Sequence, residues 1–65
     1  MSAEERRRLQ ACLEELPEAQ ATALRLAYFG GYTYEALAER LAVPLGTMKS
    51  RIRRGLIKLK SCLER

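Results

Sequence analysis

The sequence contains no histidine and only two cysteines among its 65 residues. That is too few ligands for the usual four-ligand structural zinc site, so we expect no metal and no cofactor. We also expect no enzymatic activity, because the sequence has no histidine base, no paired carboxylate in a plausible pocket and no glycine-rich phosphate loop. Cys12 and Cys62 each lie beside the apolar stripe of a helix, so we expect each to be a small, partly buried hydrophobic side chain. A disulfide between them is the less favoured alternative.

Long apolar runs are also missing. No stretch approaches the roughly 20 apolar residues that span a bilayer, and no signal peptide is recognisable, so we expect a cytoplasmic protein without membrane contact. Valine and isoleucine are scarce whereas leucine and alanine dominate, which favours helix over strand. The length suits one small domain with a thin core.

Positive charge is concentrated towards the C-terminal end. Residues 1–43 hold five Arg and seven Glu, for a net charge of −2, whereas residues 44–65 hold seven Arg or Lys and one Glu, for +6. A basic part beside a mildly acidic part indicates an oriented contact with a polyanion.

Local signals divide the chain into four helices. Ser2 with Glu5 forms a capping box at the start of the first helix, and Thr33 is a natural N-cap for the third. Pro17 and Pro44 fit the first positions of the second and fourth helices, because proline presets a helical φ. The predicted limits are residues 3–15, 17–29, 34–41 and 44–63.

The second helix is predicted to be the most buried of the four. Its apolar residues surround much of the helix axis and are Ala23, Leu24, Leu26, Ala27, Tyr28 and Phe29. Gly30-Gly31 ends it, because glycine adopts a left-handed φ at no steric cost.

The last helix has two chemically different faces. The apolar residues within about 40° of one line are Leu45, Met48, Ile52, Leu56, Leu59 and Leu63. Gly55 lies near the edge of this apolar stripe, while cationic and hydroxyl side chains occupy the opposite side. A basic face is more often solvated than functional. Here, however, a short helix and a tight turn precede it, which predicts a helix-turn-helix over residues 34–60.

Three segments between Leu9 and Leu63 carry a family resemblance: Leu16-Pro17, Gly31–Ala38, and Pro44-Leu45-Gly46-Thr47-Met48-Lys49-Ser50-Arg51-Ile52. Together they resemble region 4, the C-terminal domain, of bacterial σ factors of the extracytoplasmic-function group. The resemblance implies an all-α, four-helix domain of the winged-helix-like class with a C-terminal helix-turn-helix. We therefore expect residues 1–65 to form a single region 4 domain, separate from the −10-binding domain of a complete σ factor.

The same resemblance implies a function and partners. A region 4 domain recognises the −35 promoter element in the DNA major groove as a monomer and takes part in transcription initiation. It docks on the β flap of RNA polymerase, and an anti-σ factor commonly sequesters it.

Three positions depart from the family pattern. Ala42 stands where glycine is frequent, which costs about 1 kcal/mol if the position needs a positive φ. Gly55 replaces the usual alanine, which costs about 1 kcal/mol inside a helix. Ala36 replaces a common acidic residue. These differences bear on stability and on details of contact.

Helical phase selects the candidates for base contact. Ser50 and Arg54 point almost directly away from the apolar stripe, while Arg53 lies about 100° and Lys49 about 60° from it. The N-terminal part of a recognition helix enters the groove, so we expect Lys49, Ser50, Arg53 and Arg54 to contact base edges. An Arg that binds guanine bidentately contributes about 1–3 kcal/mol of discrimination. Contact with phosphate alone remains the alternative for each residue.

Other groups flank the groove and are candidates for phosphate contact: Thr33, Tyr34, Gly46, Thr47, Arg51 and Lys58. Core packing is the alternative role for Tyr34, and helix capping is compatible with a phosphate contact for Thr33.

Ile57 is an aliphatic residue among the cations of the last helix. A single exposed Ile is normal. The alternative hypothesis is a protein partner, such as an anti-σ helix, on the face that DNA would occupy.

Two other functions fit the pattern less well. A LuxR-type output domain has a similar helix-turn-helix but binds paired half-sites as a dimer. A protein-binding helical module would bind DNA without strong salt dependence.

Overall fold

The computed structural model describes residues 2–65, which form four α-helices. α1 covers Ala3–Glu14, α2 Glu18–Phe29, α3 Tyr34–Arg40 and α4 Leu45–Leu63. Residues 2–65 contain no β-strand, so the helix-turn-helix of α3 and α4 has no β wing in that range. The predicted all-α, four-helix fold is confirmed. No helix among residues 2–65 has the length and apolar character needed to cross a membrane.

Side-chain caps begin α1 and α3 as predicted. Ser2 Oγ accepts from the amide of Glu5 at 3.2 Å, and Thr33 Oγ1 accepts from the amide of Ala36 at 3.1 Å. Each bond satisfies one of the amides that a helix start leaves without an intrahelical partner. The Thr33 cap fixes where the helix-turn-helix begins.

Prolines precede α2 and α4, but one position earlier than predicted. Pro17 and Pro44 are N-cap residues with ψ angles of 144° and 148°, so the helices begin at Glu18 and Leu45. The prediction that both prolines are the first helical residues was therefore wrong. A proline φ suits helix and extended backbone equally, so φ alone does not separate the two positions.

The turn between α3 and α4 contains the one non-glycine residue with positive φ in residues 2–65. Ala42 has a φ of 56°, and its neighbour Val43 donates to the carbonyl of Ala38 at 3.0 Å. From the sequence, a cost for alanine at this position depended on whether it needs a positive φ. The structure shows that the backbone is left-handed here. L-residues adopt this conformation at a cost of about 1 kcal/mol.

Ala42→Gly is expected to raise the free energy of unfolding by up to about 1 kcal/mol, because glycine adopts this φ without steric strain. The measurement is urea denaturation followed by circular dichroism. Ala11→Gly, at an exposed position inside α1, is the matched control and should lower stability by about 1 kcal/mol. Equal destabilisation by both changes contradicts the strain at Ala42.

The core forms where α2, α3 and α4 meet. Leu24, Leu37 and Met48 are its largest fully buried side chains, one from each helix. On α4, Ile52 and Leu59 are also buried, while the rest of the apolar stripe is half-buried. The apolar stripe therefore seats α4 against the rest of the domain, with its basic side outward.

The last turn of α2 is more exposed than predicted. Tyr28 and Phe29 are 65% and 70% exposed, so these two apolar residues do not contribute to the predicted burial of α2. Burial on every side requires covering elements on every side, and a four-helix domain of this size cannot supply them.

Gly55 allows α4 to pack closely on α2. An added Cβ would lie 3.0 Å from Leu24 Cδ1 and 3.5 Å from Gln20 Cβ. The position is buried, although it lies near the edge of the apolar stripe. This contact gives a packing reason for glycine where the family usually has alanine.

A disulfide between Cys12 and Cys62 joins the last turns of α1 and α4, with the two Cα atoms 5.8 Å apart. The expectation of two separate hydrophobic side chains was therefore wrong. The same helix ends are joined by Arg65 Nη2, which donates to Glu15 Oε1 at 2.6 Å. Arg8 Nη2 donates to the carbonyl of Leu63 at 2.6 Å. Helix packing, which residue spacing does not reveal, brings the two cysteines together.

Candidate nucleic-acid interface

The four residues predicted to contact bases all lie exposed on α4. Lys49 with Arg53, and Ser50 with Arg54, are i and i+4 pairs, so each pair forms neighbours on the helix surface. The side-chain hydrogen bonds and ion pairs found within residues 2–65 involve none of the four. Their donors are therefore free to bind an external acceptor.

Their orientation follows from what lies behind them. Met48 and Ile52, next to them in sequence, are 0% and 3% exposed and hold α4 against the core. Because successive residues are about 100° apart, these buried positions direct Ser50 and Arg54 outward. The result is a cationic helix face on a rigid support.

The first turn of α4 supplies two of the predicted phosphate contacts. Gly46 and Thr47 are exposed, and a Cβ added at Gly46 would meet nothing within 4 Å. Packing inside the domain therefore does not explain why this residue is glycine. The missing side chain does, however, leave the backbone amides open to close approach by a ligand. Arg51, one turn further on, is half-buried.

The remaining phosphate candidates lie apart from that turn. Thr33 and Tyr34 stand at the start of α3, and Thr33 is both exposed and engaged as the cap. Tyr34 is 42% exposed and borders an apolar depression with Tyr28 and Leu56. Lys58 is exposed about 18 Å along α4 from Gly46, beside the disulfide.

A groove of about 450 Å³ runs between the start of α2 and the outer side of α4. Its α4 wall consists of predicted site residues: Gly46, Thr47, Ser50, Arg51 and Arg54. Its other wall is formed by Pro17, Ala19 and Gln20, which the sequence did not suggest. Gln20 Oε1 is buried and has no hydrogen-bond partner within residues 2–65. Helix packing alone brings α2 to this groove, and no sequence signal indicates it.

Ile57 lies on the same helix and is 62% exposed. It follows Arg53 by one turn, so the two side chains are neighbours on the helix surface. An exposed branched aliphatic side chain within a cationic face adds an apolar contact that a phosphate backbone cannot use.

Comparison with known proteins identifies the domain type. The family model described as Sigma-70, region 4 matches residues 6–59, which include α2, α3 and the greater part of α4. An ECF RNA polymerase sigma factor SigK from Mycolicibacterium vanbaalenii is 47% identical over 60 residues, covering 92% of this chain and 31% of the relative. The protein of the same name from Mycobacterium tuberculosis is 44% identical over 64 residues, covering 98% and 34%.

This chain spans about a third of the length of these curated relatives. The matched part contains the buried Met48, Ile52 and Leu59 of α4 and the exposed basic residues of the same helix. The family model covers well over half of the chain, so this chain belongs to the Sigma-70 region 4 family.

Proposed function

We propose that this domain binds the −35 promoter element through the outward face of α4, as part of an extracytoplasmic-function σ factor in transcription initiation. The observation that carries the proposal is that Lys49, Ser50, Arg53 and Arg54 are all exposed on a helix whose Met48, Ile52 and Leu59 are buried. An α-helix with such a face fits the major groove, which is about 12 Å wide.

Base and phosphate contacts divide along α4. Arg53 and Arg54 are the candidates for bidentate binding of guanine, and Lys49 and Ser50 reach neighbouring base edges. Thr33, Tyr34, Gly46, Thr47, Arg51 and Lys58 are assigned to phosphates. Phosphate contacts fix the register of the protein on the duplex, and base contacts select the sequence.

The isolated domain should bind DNA weakly. A single helix-turn-helix buries only about 600–1,000 Å² of protein surface on DNA. Tethering beside the rest of a σ factor on RNA polymerase would raise the effective concentration of the domain at the promoter. RNA polymerase, through its β flap, is therefore part of the proposal. We also infer a monomeric, non-enzymatic, cytoplasmic protein under the control of an anti-σ factor.

Two alternatives make different predictions. A LuxR-type domain binds paired half-sites about one helical turn apart, which lengthens its footprint, and the family match favours σ region 4 over it. A protein-binding module would show a salt slope near zero with promoter DNA. Binding through about four to six phosphates predicts a slope of log K against log[salt] of about −4 to −5.

Selection of random duplex DNA against the purified domain is the experiment that tests the proposal. We expect enrichment of one short, non-palindromic motif, protected by one copy of the domain. A palindromic motif occupied by two copies supports the LuxR-type alternative. Failure to enrich any motif, together with a flat salt response, rejects sequence-specific DNA binding.

Ile57→Lys is expected to weaken binding of an anti-σ factor at least tenfold while leaving DNA affinity unchanged or slightly higher. A lysine removes the apolar contact and adds a buried charge to a protein interface, whereas the same charge beside DNA is favourable. Titration calorimetry measures both affinities. Ala11→Lys, which adds the same charge at an exposed position of α1, is the control. Equal anti-σ affinity for wild type and Ile57→Lys removes Ile57 from that interface.

A further inference from the structure

Three potential metal ligands converge where α1 and α4 end. Cys12 Sγ, Cys62 Sγ and a carboxylate oxygen of Glu15 all lie within 4.8 Å of one another. They border an open cavity of about 320 Å³, which has room for water. The sequence excluded a zinc site because it offered two ligands, and the fold adds Glu15 as a third.

One of the ligand spacings of a tetrahedral zinc centre, that between Glu15 and Cys62, is already present, whereas the two sulfurs are joined by the disulfide and must separate on reduction. Glu15 Oε2 lies 3.5 Å from Cys62 Sγ. Zn–S and Zn–O bonds of about 2.3 and 2.1 Å at a tetrahedral angle place sulfur and oxygen about 3.6 Å apart. Two thiolates on the same ion stand about 3.8 Å apart, which is close to the van der Waals contact that two unbonded sulfurs adopt. Side-chain rotation with the Cα atoms 5.8 Å apart therefore suffices.

Arg65 orients the carboxylate. Its Nη2 donates to Glu15 Oε1 at 2.6 Å, which leaves Oε2 turned towards the sulfurs. The same nitrogen lies 2.9 Å from Cys62 Sγ, but the Arg65 side chain is 64% exposed and is free to move off the sulfur. Hydrogen bonds from a neighbouring group to a ligating carboxylate are a general feature of metal sites.

Charge also favours a divalent ion here. Two thiolates and one carboxylate carry −3, and Zn²⁺ brings the centre to −1. The cationic side chains of Lys58 and Arg65 line the same cavity and balance the remainder. Thiolate ligands select a soft or borderline ion over Mg²⁺ or Ca²⁺.

We propose that the reduced domain binds one Zn²⁺ through Cys12, Cys62 and Glu15, with a water molecule from the cavity as the fourth ligand. Reduction requires an external dithiol, which passes two electrons and two protons to the disulfide and closes to its own disulfide. Zinc then displaces the two thiol protons. Disulfide and zinc complex are mutually exclusive, because the disulfide sulfurs are not thiolate ligands. In a reducing cytoplasm the dithiol is the expected form. The proposal is independent of the DNA-binding function.

Cobalt substitution tests the site. The protein is reduced with a dithiol, separated from it under anaerobic conditions and titrated with Co²⁺. We expect one equivalent to give a thiolate-to-cobalt charge-transfer absorption with tetrahedral ligand-field bands, and one equivalent of Zn²⁺ to abolish both. The oxidised protein should give neither. Absence of the charge-transfer band in the folded, reduced protein overturns the proposal.

Matched variants identify the ligands. Cys12→Ser should abolish the charge-transfer band, and Glu15→Gln should weaken zinc binding by at least the roughly 10-fold to 100-fold that loss of an outer-shell partner costs, because it removes a ligand. Glu14→Gln, which neutralises the adjacent exposed carboxylate outside the cluster, should bind as wild type does. Equal affinity for Glu15→Gln and wild type contradicts the assigned ligand set.

A second measurement covers the case in which a cysteine variant unfolds. Zinc bound by the native state raises the thermal unfolding midpoint of the reduced wild-type protein and slows alkylation of both thiols. Glu14→Gln should show the same rise, and Glu15→Gln a smaller one. No rise with reduced wild type at saturating zinc overturns the proposal.

Discussion

Loss of the Cys12–Cys62 disulfide is expected to lower the free energy of unfolding by about 4 kcal/mol at 25 °C. The bridge connects residues 50 positions apart. In the chain-entropy description, a closed loop of that length lowers the conformational entropy of the unfolded state, which raises its free energy by about 4 kcal/mol. A domain of this size has a total stability of only about 3–10 kcal/mol, so the reduced form should be marginal.

Urea denaturation of the wild type with and without a dithiol, with a chelator present throughout, measures this difference. Cys12→Ala combined with Cys62→Ala is the matched control, since a dithiol should leave its unfolding curve unchanged. The same midpoint for oxidised and reduced wild type would show that the bridge does not constrain the unfolded chain.

Arg54→Ala is expected to weaken binding to the selected duplex by about 1–3 kcal/mol, roughly 5-fold to 150-fold in Kd. Arg54 is exposed on the outer side of α4 and also lines the groove towards α2. The expected loss is specific to sequence, because a guanidinium that binds a base edge discriminates among bases. Fluorescence anisotropy against the selected duplex and single-base variants measures both effects.

Lys58→Ala provides the comparison within the same helix. This change should weaken binding to all duplexes by a similar factor. It should also make the slope of log K against log[salt] less negative by about 1, as expected for one lost phosphate contact. Both residues are exposed, so neither change should alter the unfolding curve. A uniform loss for Arg54→Ala across all duplexes would reassign Arg54 to a phosphate.

Much of the fold could be predicted from helix capping and apolar periodicity, because both depend on residues close together in the sequence. The Ser2 and Thr33 hydroxyls cap the helix starts that the sequence predicted. The spacing from Met48 to Leu59 gives the buried side of α4, since a helix of fixed pitch leaves no freedom in which face is apolar. The exposure of Ser50 and Arg54 follows from the same geometry. Their contact with bases stays a prediction.

Features that depend on contacts between helices could not be derived from spacing. Cys12 and Cys62 meet because the last turns of α1 and α4 lie together, and Gly55 is buried because α2 crosses it at Leu24. The exposure of Phe29 likewise depends on which faces of α2 remain uncovered. Residue patterns show which face of a helix is apolar, but not which helix covers it.

The contribution of α2 to the groove has the same origin. Gln20 borders the groove opposite Arg51, and its buried Oε1 has no partner within the described part of the chain. Nothing in the sequence distinguishes this glutamine from a solvated helical residue. Its position next to Gly55 links the close packing of α2 and α4 to the shape of the groove.

The most direct test of DNA recognition by α4 is an NMR titration of the labelled domain with the selected duplex. We predict that the largest amide shift changes fall on residues 46–54 and at the start of α3, with residues 3–14 of α1 nearly unchanged. Saturable changes confined to α1, or none in α4 at saturating DNA, would contradict recognition through the outward face of α4.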